Sequence, residues 1–92
     1  MTLSDTFRDL EQLPSEHTIY ALRPWSLTSP AVVAEEPAEG GLPEAASAAG
    51  LAYFLEVFIA QDFFRDWPDS YSTKDAHAAC SQRLIHYAEH DA

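Results

Sequence analysis

The chain is poor in basic residues and in cysteine. Five Lys and Arg stand against fifteen Asp and Glu, which gives a formal net charge of −10 over 92 residues. The five basic residues are scattered, and a chain of this charge repels a phosphate backbone, so DNA and RNA binding are excluded. The one cysteine, Cys80, permits no internal disulfide and no cysteine-rich zinc framework.

A long uninterrupted apolar run is also missing. The most apolar stretch, residues 51–67, contains Glu56 near its middle and three charged residues toward its end, well short of the roughly 20 apolar residues that cross a bilayer. The first residues lack the basic and apolar regions of a secretory signal. We therefore expect a cytoplasmic protein without a membrane partner, and the length predicts one small domain over residues 1–92.

Motifs for catalysis and for cofactors are lacking as well. The sequence contains no phosphate-binding glycine loop, no calcium-binding loop and no Gly-x-Ser-x-Gly nucleophile motif. We assign no catalytic residues and no cofactor. The weak metal candidates are His86 and His90, which stand four residues apart on a predicted helix, with His77 and Glu89 as conceivable neighbours.

A cysteine-dependent activity is the other enzymatic alternative. His77 lies three residues before Cys80 on the same predicted helix face. The helix dipole lowers the pKa of a thiol at a helix N-terminus but not that of a cysteine in the middle of a helix. In the sequence, alanines and Leu84 surround Cys80. The pattern favours a small buried apolar residue over a nucleophile.

The first third of the chain predicts a short helix followed by a β-hairpin. Ser4 is a possible helix cap, and Pro14 ends the helix. Residues 17–23 are rich in β-formers, and the short β-branched run 31–36 is expected to pair with them antiparallel. Proline stands at both ends of the connection 24–30.

The next segments predict a loop and a long helix. Residues 36–48 are rich in Pro, Gly, Ala and Glu and are interpreted as a mobile loop that ends in a helical turn. Residues 48–67 are predicted to form a long central helix, with a strand over residues 53–59 as the alternative. Both versions place apolar residues on two sides, and Pro68 ends the element.

A C-terminal helix over residues 74–89 completes the pattern, with Ser72 or Thr73 at its start. Its apolar side contains Cys80 and Leu84. The predicted fold class is therefore α+β: a short N-terminal helix, a β-hairpin, a mobile loop, a long central helix and a C-terminal helix.

The surplus of apolar and acidic residues in the central stretch predicts a protein-binding surface. A small domain cannot enclose all its aromatic residues, and an acidic surface attracts a basic partner. We expect a non-enzymatic interaction module with a basic protein partner, or a homodimer formed through the surplus apolar face. The predicted interaction residues are Phe54, Phe58, Asp62, Asp66 and Asp69.

Several short motifs resemble a family of small acidic bacterial proteins of unknown function. They are Leu13-Pro14, Thr18-Ile19-Tyr20, Pro24-Trp25, Tyr53 through Ile59, and Tyr87-Ala88-Glu89. The resemblance covers most of the chain outside 36–48 and implies a bacterial source, but no activity and no functional residues. Some proteins of this size and charge look like immunity proteins that neutralise a toxin, which is an analogy only.

Overall fold

The computed structural model describes residues 1–91 and shows an α+β fold, which confirms the predicted class. The helices are α1 (Leu3–Arg8), α2 (Glu44–Ala48), α3 (Val57–Arg65) and α4 (Lys74–Asp91), with a short 3-10 helix at Leu10–Gln12. The strands are β1 (Thr18–Ala21), β2 (Ala31–Ala34) and β3 (Ala52–Glu56). They form one antiparallel sheet in the order β2-β1-β3.

The N-terminal helix begins earlier than its sequence suggests. Thr2, rather than Ser4, is the capping residue: its hydroxyl accepts from the Asp5 amide at 3.1 Å, and the Asp5 carboxylate accepts from the Thr2 amide at 3.0 Å. This reciprocal pair is a capping box. The prediction of Ser4 as the cap is wrong because a Thr three residues before an acidic residue satisfies two amides at once.

The predicted hairpin is confirmed. Thr18 pairs with Ala34 and Ala21 with Ala31, in antiparallel register. All of β1 is buried, because it is the central strand and both faces of the sheet are covered. Ile19 and Ala21 face the main core, whereas Tyr20 faces a second, smaller cluster.

The central helix predicted over residues 48–67 is wrong in its first half. Gly50, with φ of +72°, ends α2. Its amide bonds to the Ser47 carbonyl and the Leu51 amide to the Ala46 carbonyl, which is the Schellman pattern of a helix end. A helix cannot continue through this point, so the chain leaves α2 and enters β3.

The second half of that stretch is helical, as predicted, but begins only at Val57. The strand alternative over residues 53–59 is correct for Tyr53 to Glu56 and wrong for 57–59. Strand β3 forms because β1 offers a second edge for pairing, and this non-local pairing overrides the local helix propensity. The segment 36–48 ends in α2, which confirms the predicted helical turn.

The core lies between the sheet and the helices α1, α3 and α4. Three phenylalanines meet at its centre: Phe7 lies 6.0 Å from Phe54 and 5.5 Å from Phe64 between ring centroids. The ring of Trp25 meets Phe54 edge-on at 4.8 Å, and its indole N–H donates to the Ala21 carbonyl. The C-terminal helix contributes Cys80, Leu84, Ile85 and Ala88, which confirms its predicted apolar side.

None of the helices within residues 1–91 has the length and apolar character that crossing a bilayer requires.

Candidate functional site

Helix α3 presents an aromatic ring and acidic groups on its outward side. Its inward side holds Val57, Ala60 and Phe64 in the core, and the helical period therefore turns Phe58 and Asp62 toward solvent. Phe58 is 48% exposed, the largest exposed fraction among the aromatic residues of the described chain. An exposed ring one helical turn from an exposed carboxylate is compatible with a protein-binding surface.

A half-buried apolar stripe runs beside Phe58 along α3. Ile59, Phe63 and Trp67 succeed one another at intervals of four residues, and each packs partly against the core. The ring of Phe63 lies 6.1 Å from that of Trp67 and 6.0 Å from that of Tyr87 on α4. These four side chains form an apolar shoulder next to Phe58, so the outward side of α3 combines aromatic area with carboxylates.

The only basic residue on α3 is neutralised by its neighbours. The Arg65 guanidinium lies 2.8 Å from a carboxylate oxygen of Glu11 and 3.6 Å from one of Asp62. The Glu11 contact is the largest cause that raises the pKa of Arg65. These pairs offset the positive charge of Arg65 and, in part, the negative charge of Asp62.

The five predicted interaction residues do not form one surface. Phe54 is fully buried against Phe7 and Trp25, so its predicted role in contacting a partner is wrong for the folded chain. Asp62 and Asp66 are exposed on α3 and its C-terminal cap. Asp69 lies in the following loop with φ of +58°, and its carbonyl accepts from the Ser72 amide at 3.0 Å.

A second acidic and aromatic surface occurs on the sheet face away from α3, and no pattern in the sequence predicts it. A β-bulge interrupts the pairing of β3 with β1: Ile19 pairs with Leu55, but the next residue, Tyr20, pairs with Tyr53. The extra residue, Phe54, is accommodated in the core together with Leu55.

The bulge brings Tyr53 and Glu56 to the same face of the sheet. Residues three apart on a regular strand point to opposite faces, but one extra residue restores the alignment. The Tyr53 hydroxyl accordingly donates a hydrogen bond to the Glu56 carboxylate. Burial, followed by this hydrogen bond, raises the pKa of Tyr53 strongly.

Tyr20 lies between the two edge strands on this face and has a buried hydroxyl. The residue is 1% exposed, and the hydroxyl oxygen has no hydrogen-bond partner among residues 1–91. Burial raises the pKa of Tyr20, and the carboxylates of Glu36 and Glu56 raise it further. The nearby Thr18 hydroxyl lowers the pKa of Tyr20, although the two hydroxyls do not meet the distance and angle of a hydrogen bond.

His77 and Cys80 do not form a reactive pair. Cys80 is fully buried, which confirms its predicted structural role, and burial raises the pKa of its thiol to about 11. The His77 ring packs instead against Phe64 at 5.3 Å and Tyr71 at 6.0 Å, and its Nδ1 lies 3.5 Å from the Ser81 hydroxyl. A thiol with a raised pKa is a poor nucleophile at neutral pH.

The two C-terminal histidines are neighbours without further ligands. The rings of His86 and His90 lie 4.4 Å apart and both residues are exposed. Within residues 1–91, no group of three or more His, Cys, Asp or Glu side chains is arranged to hold a metal ion. Two imidazoles alone leave at least one protein ligand of an ordinary zinc site unfilled.

A groove lies between α1 and the start of α4, with a volume of about 780 Å³. Arg8 and Lys74 line it, together with Asp9, Tyr71 and His77. Arg8 is already paired with Asp5 at 3.0 Å, and the Nε2 atom of His77 is buried rather than open to the groove. The groove therefore combines opposite charges with hydroxyl-bearing side chains, among them Ser72, Thr73 and Ser81.

Comparison of the chain with profiles of known protein families, with curated proteins and with solved structures gives no match.

Proposed function

We propose that this chain is a non-enzymatic interaction module that binds a basic protein through the outward side of α3. The observation that carries the proposal is the exposure of Phe58, at 48%, in the first turn of a helix whose next outward residue is Asp62. Full burial of a phenylalanine is worth about 1.5–3 kcal/mol, so the exposed half of this ring forfeits roughly 0.7–1.5 kcal/mol. A partner that covers the ring recovers part of it.

Charge supports a basic partner. The chain has a formal net charge of −10, and Asp62 and Asp66 flank the aromatic area on α3. Lys or Arg side chains of a partner would contact carboxylates at the rim of this surface and aromatic rings at its centre. The negative electrostatic field of the chain would increase the rate at which a basic protein associates with it. A cytoplasmic bacterial module of this kind, of which a toxin-neutralising immunity protein is one example, fits these features.

Site-specific photocross-linking tests the proposal. A benzophenone amino acid replaces Phe58 in one variant and Leu42, an apolar residue 43% exposed in the loop before α2, in a matched control. In extracts of the source organism we expect one basic protein to cross-link at position 58 and not at position 42. Capture of the same proteins at both positions, or of none at position 58, would refute it.

A homodimer through the same surface is the second candidate, supported by the apolar shoulder beside Phe58. A two-fold interface brings the same patch of each chain together, so the carboxylates of Asp62 and Asp66 would lie close to their own copies. This repulsion favours a different partner over a second copy. Light scattering at micromolar concentration is expected to give the mass of one chain, and the mass of two chains would reverse the preference.

A further inference from the structure

The groove between α1 and the start of α4 is bounded by interior as well as surface residues. Its volume of about 780 Å³ lies within the range of pockets that hold small organic molecules. The buried Ser81, the half-buried Leu27 and the exposed Tyr71 all line it. A small ligand would therefore contact several elements of the fold at once rather than one flat surface.

Two side chains of opposite charge line this groove without a partner. Lys74 is the first residue of α4, and Asp9 is the C-terminal cap of α1. Among residues 1–91, neither forms an ion pair, with the other or with any third residue. The second cation of the groove, Arg8, is already bound to Asp5 at 3.0 Å. The groove therefore presents one unpaired ammonium on its α4 side and one unpaired carboxylate on its α1 side.

Hydrogen-bond donors lie beside Lys74. The Thr73 hydroxyl accepts from the Ala76 amide at 3.0 Å, which leaves its own proton free to donate. The hydroxyls of Ser72 and Tyr71 take part in none of the side-chain hydrogen bonds of this region of the described chain. The dipole of the 18-residue helix α4 adds a partial positive charge at the same end. The α4 side of the groove thus suits a carboxylate, and the α1 side suits an ammonium group.

The groove also contains apolar surface. Tyr71 is 44% exposed, and its ring lies 5.5 Å from that of Phe64 between centroids, so the core supports the ring from within. Leu27 and Ala78 line the groove as well. A ligand that covers these side chains removes apolar area from water, which favours one with an aromatic or aliphatic body.

We propose that this groove binds a small zwitterion with an apolar body, of the chemical class of the aromatic and large aliphatic α-amino acids. The ligand carboxylate would accept from the Lys74 ammonium and from the hydroxyls of Ser72 and Thr73. The ligand ammonium group would donate to the Asp9 carboxylate. A purely anionic ligand would be repelled by Asp9 and a purely cationic one by Lys74, so the two charges select for a molecule that carries both.

This site goes beyond the proposed function. The lining residues of the groove in the described chain include none from α3, so a ligand in the groove and a protein on the outward side of α3 can bind the same molecule. The site can also be tested without that protein.

The probe is L-phenylalanine, titrated into isotopically labelled protein and followed by NMR. Two control ligands keep the phenyl body and each lack one charged group: hydrocinnamate has no ammonium group, and phenethylamine, a cation at neutral pH, has no carboxylate. We expect saturable shifts with L-phenylalanine that are confined to residues 8–9 and 71–78. Each control ligand should bind about fivefold more weakly, as for the loss of one partly exposed ion pair.

Substitutions at the two charged positions identify which end of the ligand each one holds. Lys74→Gln and Asp9→Asn, both at exposed positions, should each weaken the binding of L-phenylalanine about fivefold. Lys74→Gln should not weaken the binding of phenethylamine, and Asp9→Asn should not weaken that of hydrocinnamate. Arg83→Gln and Glu89→Gln make the same changes of charge at exposed positions of α4 and should leave all three affinities unchanged.

Four results would overturn the assignment. They are the absence of saturable binding at millimolar L-phenylalanine, shifts spread over the whole chain, equal affinities for L-phenylalanine and either control ligand, and equal effects of Lys74→Gln and Arg83→Gln. None of them bears on cross-linking at position 58, so this site and the α3 surface fail separately.

Discussion

Gln61 provides the sharpest test of how the N-terminal segment is held to the rest of the fold. This side chain is only 4% exposed, and its amide nitrogen donates to the carbonyls of Leu10 at 2.7 Å and Leu13 at 3.1 Å. Those carbonyls lie in the 3-10 helix and at its C-terminal cap, and the Leu10 carbonyl also accepts the Leu13 amide at 3.1 Å. The Gln61 side chain thus connects the 3-10 helix and its C-terminal cap to α3.

Replacement of Gln61 by Met keeps the length of the side chain and removes both hydrogen bonds. The Leu10 carbonyl keeps the Leu13 amide as a donor, so the cost is the loss of two hydrogen bonds at about 0.5–1.5 kcal/mol each. We therefore expect the free energy of unfolding to fall by about 1–3 kcal/mol, which for a domain of this size lowers the Tm by roughly 5–20 °C.

Urea and thermal denaturation followed by circular dichroism provide the assay. The matched control is Gln82→Met, the same chemical change at an exposed position of α4, which should alter stability by less than about 0.5 kcal/mol. Equal effects of the two substitutions would show that the Gln61 hydrogen bonds contribute nothing, and would refute this account of how the segment is anchored.

Three further predictions concern stability and are measured in the same way. Gly50→Ala should cost about 1 kcal/mol, because its φ of +72° is strained for any residue with a Cβ although no atom lies within 4 Å of the added methyl; an unchanged midpoint would contradict the α2 ending described above. Thr2→Ala should cost about 1 kcal/mol through loss of the capping box, while Thr28→Ala, at an exposed loop position, should be neutral. The pKa of Cys80 is raised from 9.0 to about 11 in the fold, so stability should be complete below pH 9.0 and fall as the pH rises toward 11, because the unfolded chain releases the thiol proton first; Cys80→Ala should flatten that decline, and an equal decline in the variant would contradict it.

The hairpin and the C-terminal helix could be predicted because each depends on local pattern. Residues 17–23 and 31–36 combine β-formers with a short proline-bounded connection, and their pairing is between neighbours in sequence. Helix α4 has a clear start at Thr73, whose hydroxyl accepts from the Ala76 amide at 3.0 Å, and an apolar side at helical spacing. The structure confirms both elements within a few residues.

The error over residues 48–56 has a local and a non-local cause. The local cause is Gly50: a glycine is typical of the position just after a helix end, but the predicted helix from Ala48 to Trp67 includes it as an interior residue. The strand character of Tyr53 to Glu56 depends on β1, more than thirty residues earlier in the numbering of the chain. Leu, Ala and Glu favour helix locally, and only the open edge of β1 reverses that preference.

The sequence pattern predicts the exposed residues on α3 but not those on the second face of the sheet. Phe58 and Asp62 are exposed as the surplus of apolar and acidic residues suggested. The burial of Phe54 and the meeting of Tyr53 with Glu56 both result from the bulge opposite Ile19 and Tyr20. The register of a bulge is set by packing across the sheet, so a strictly alternating pattern read from sequence assigns these residues to the wrong faces.

The affinity of the partner cross-linked at position 58 for substituted forms of the chain tests the central claim most directly. Phe58→Ala should weaken binding tenfold or more, a loss of about 1.4 kcal/mol or greater that is typical of a buried aromatic anchor. Leu42→Ala removes a similarly exposed apolar side chain far from α3 in sequence and should leave the affinity within about twofold of the unsubstituted chain. Equal affinities for both variants would contradict the proposal that the outward side of α3 is the binding surface.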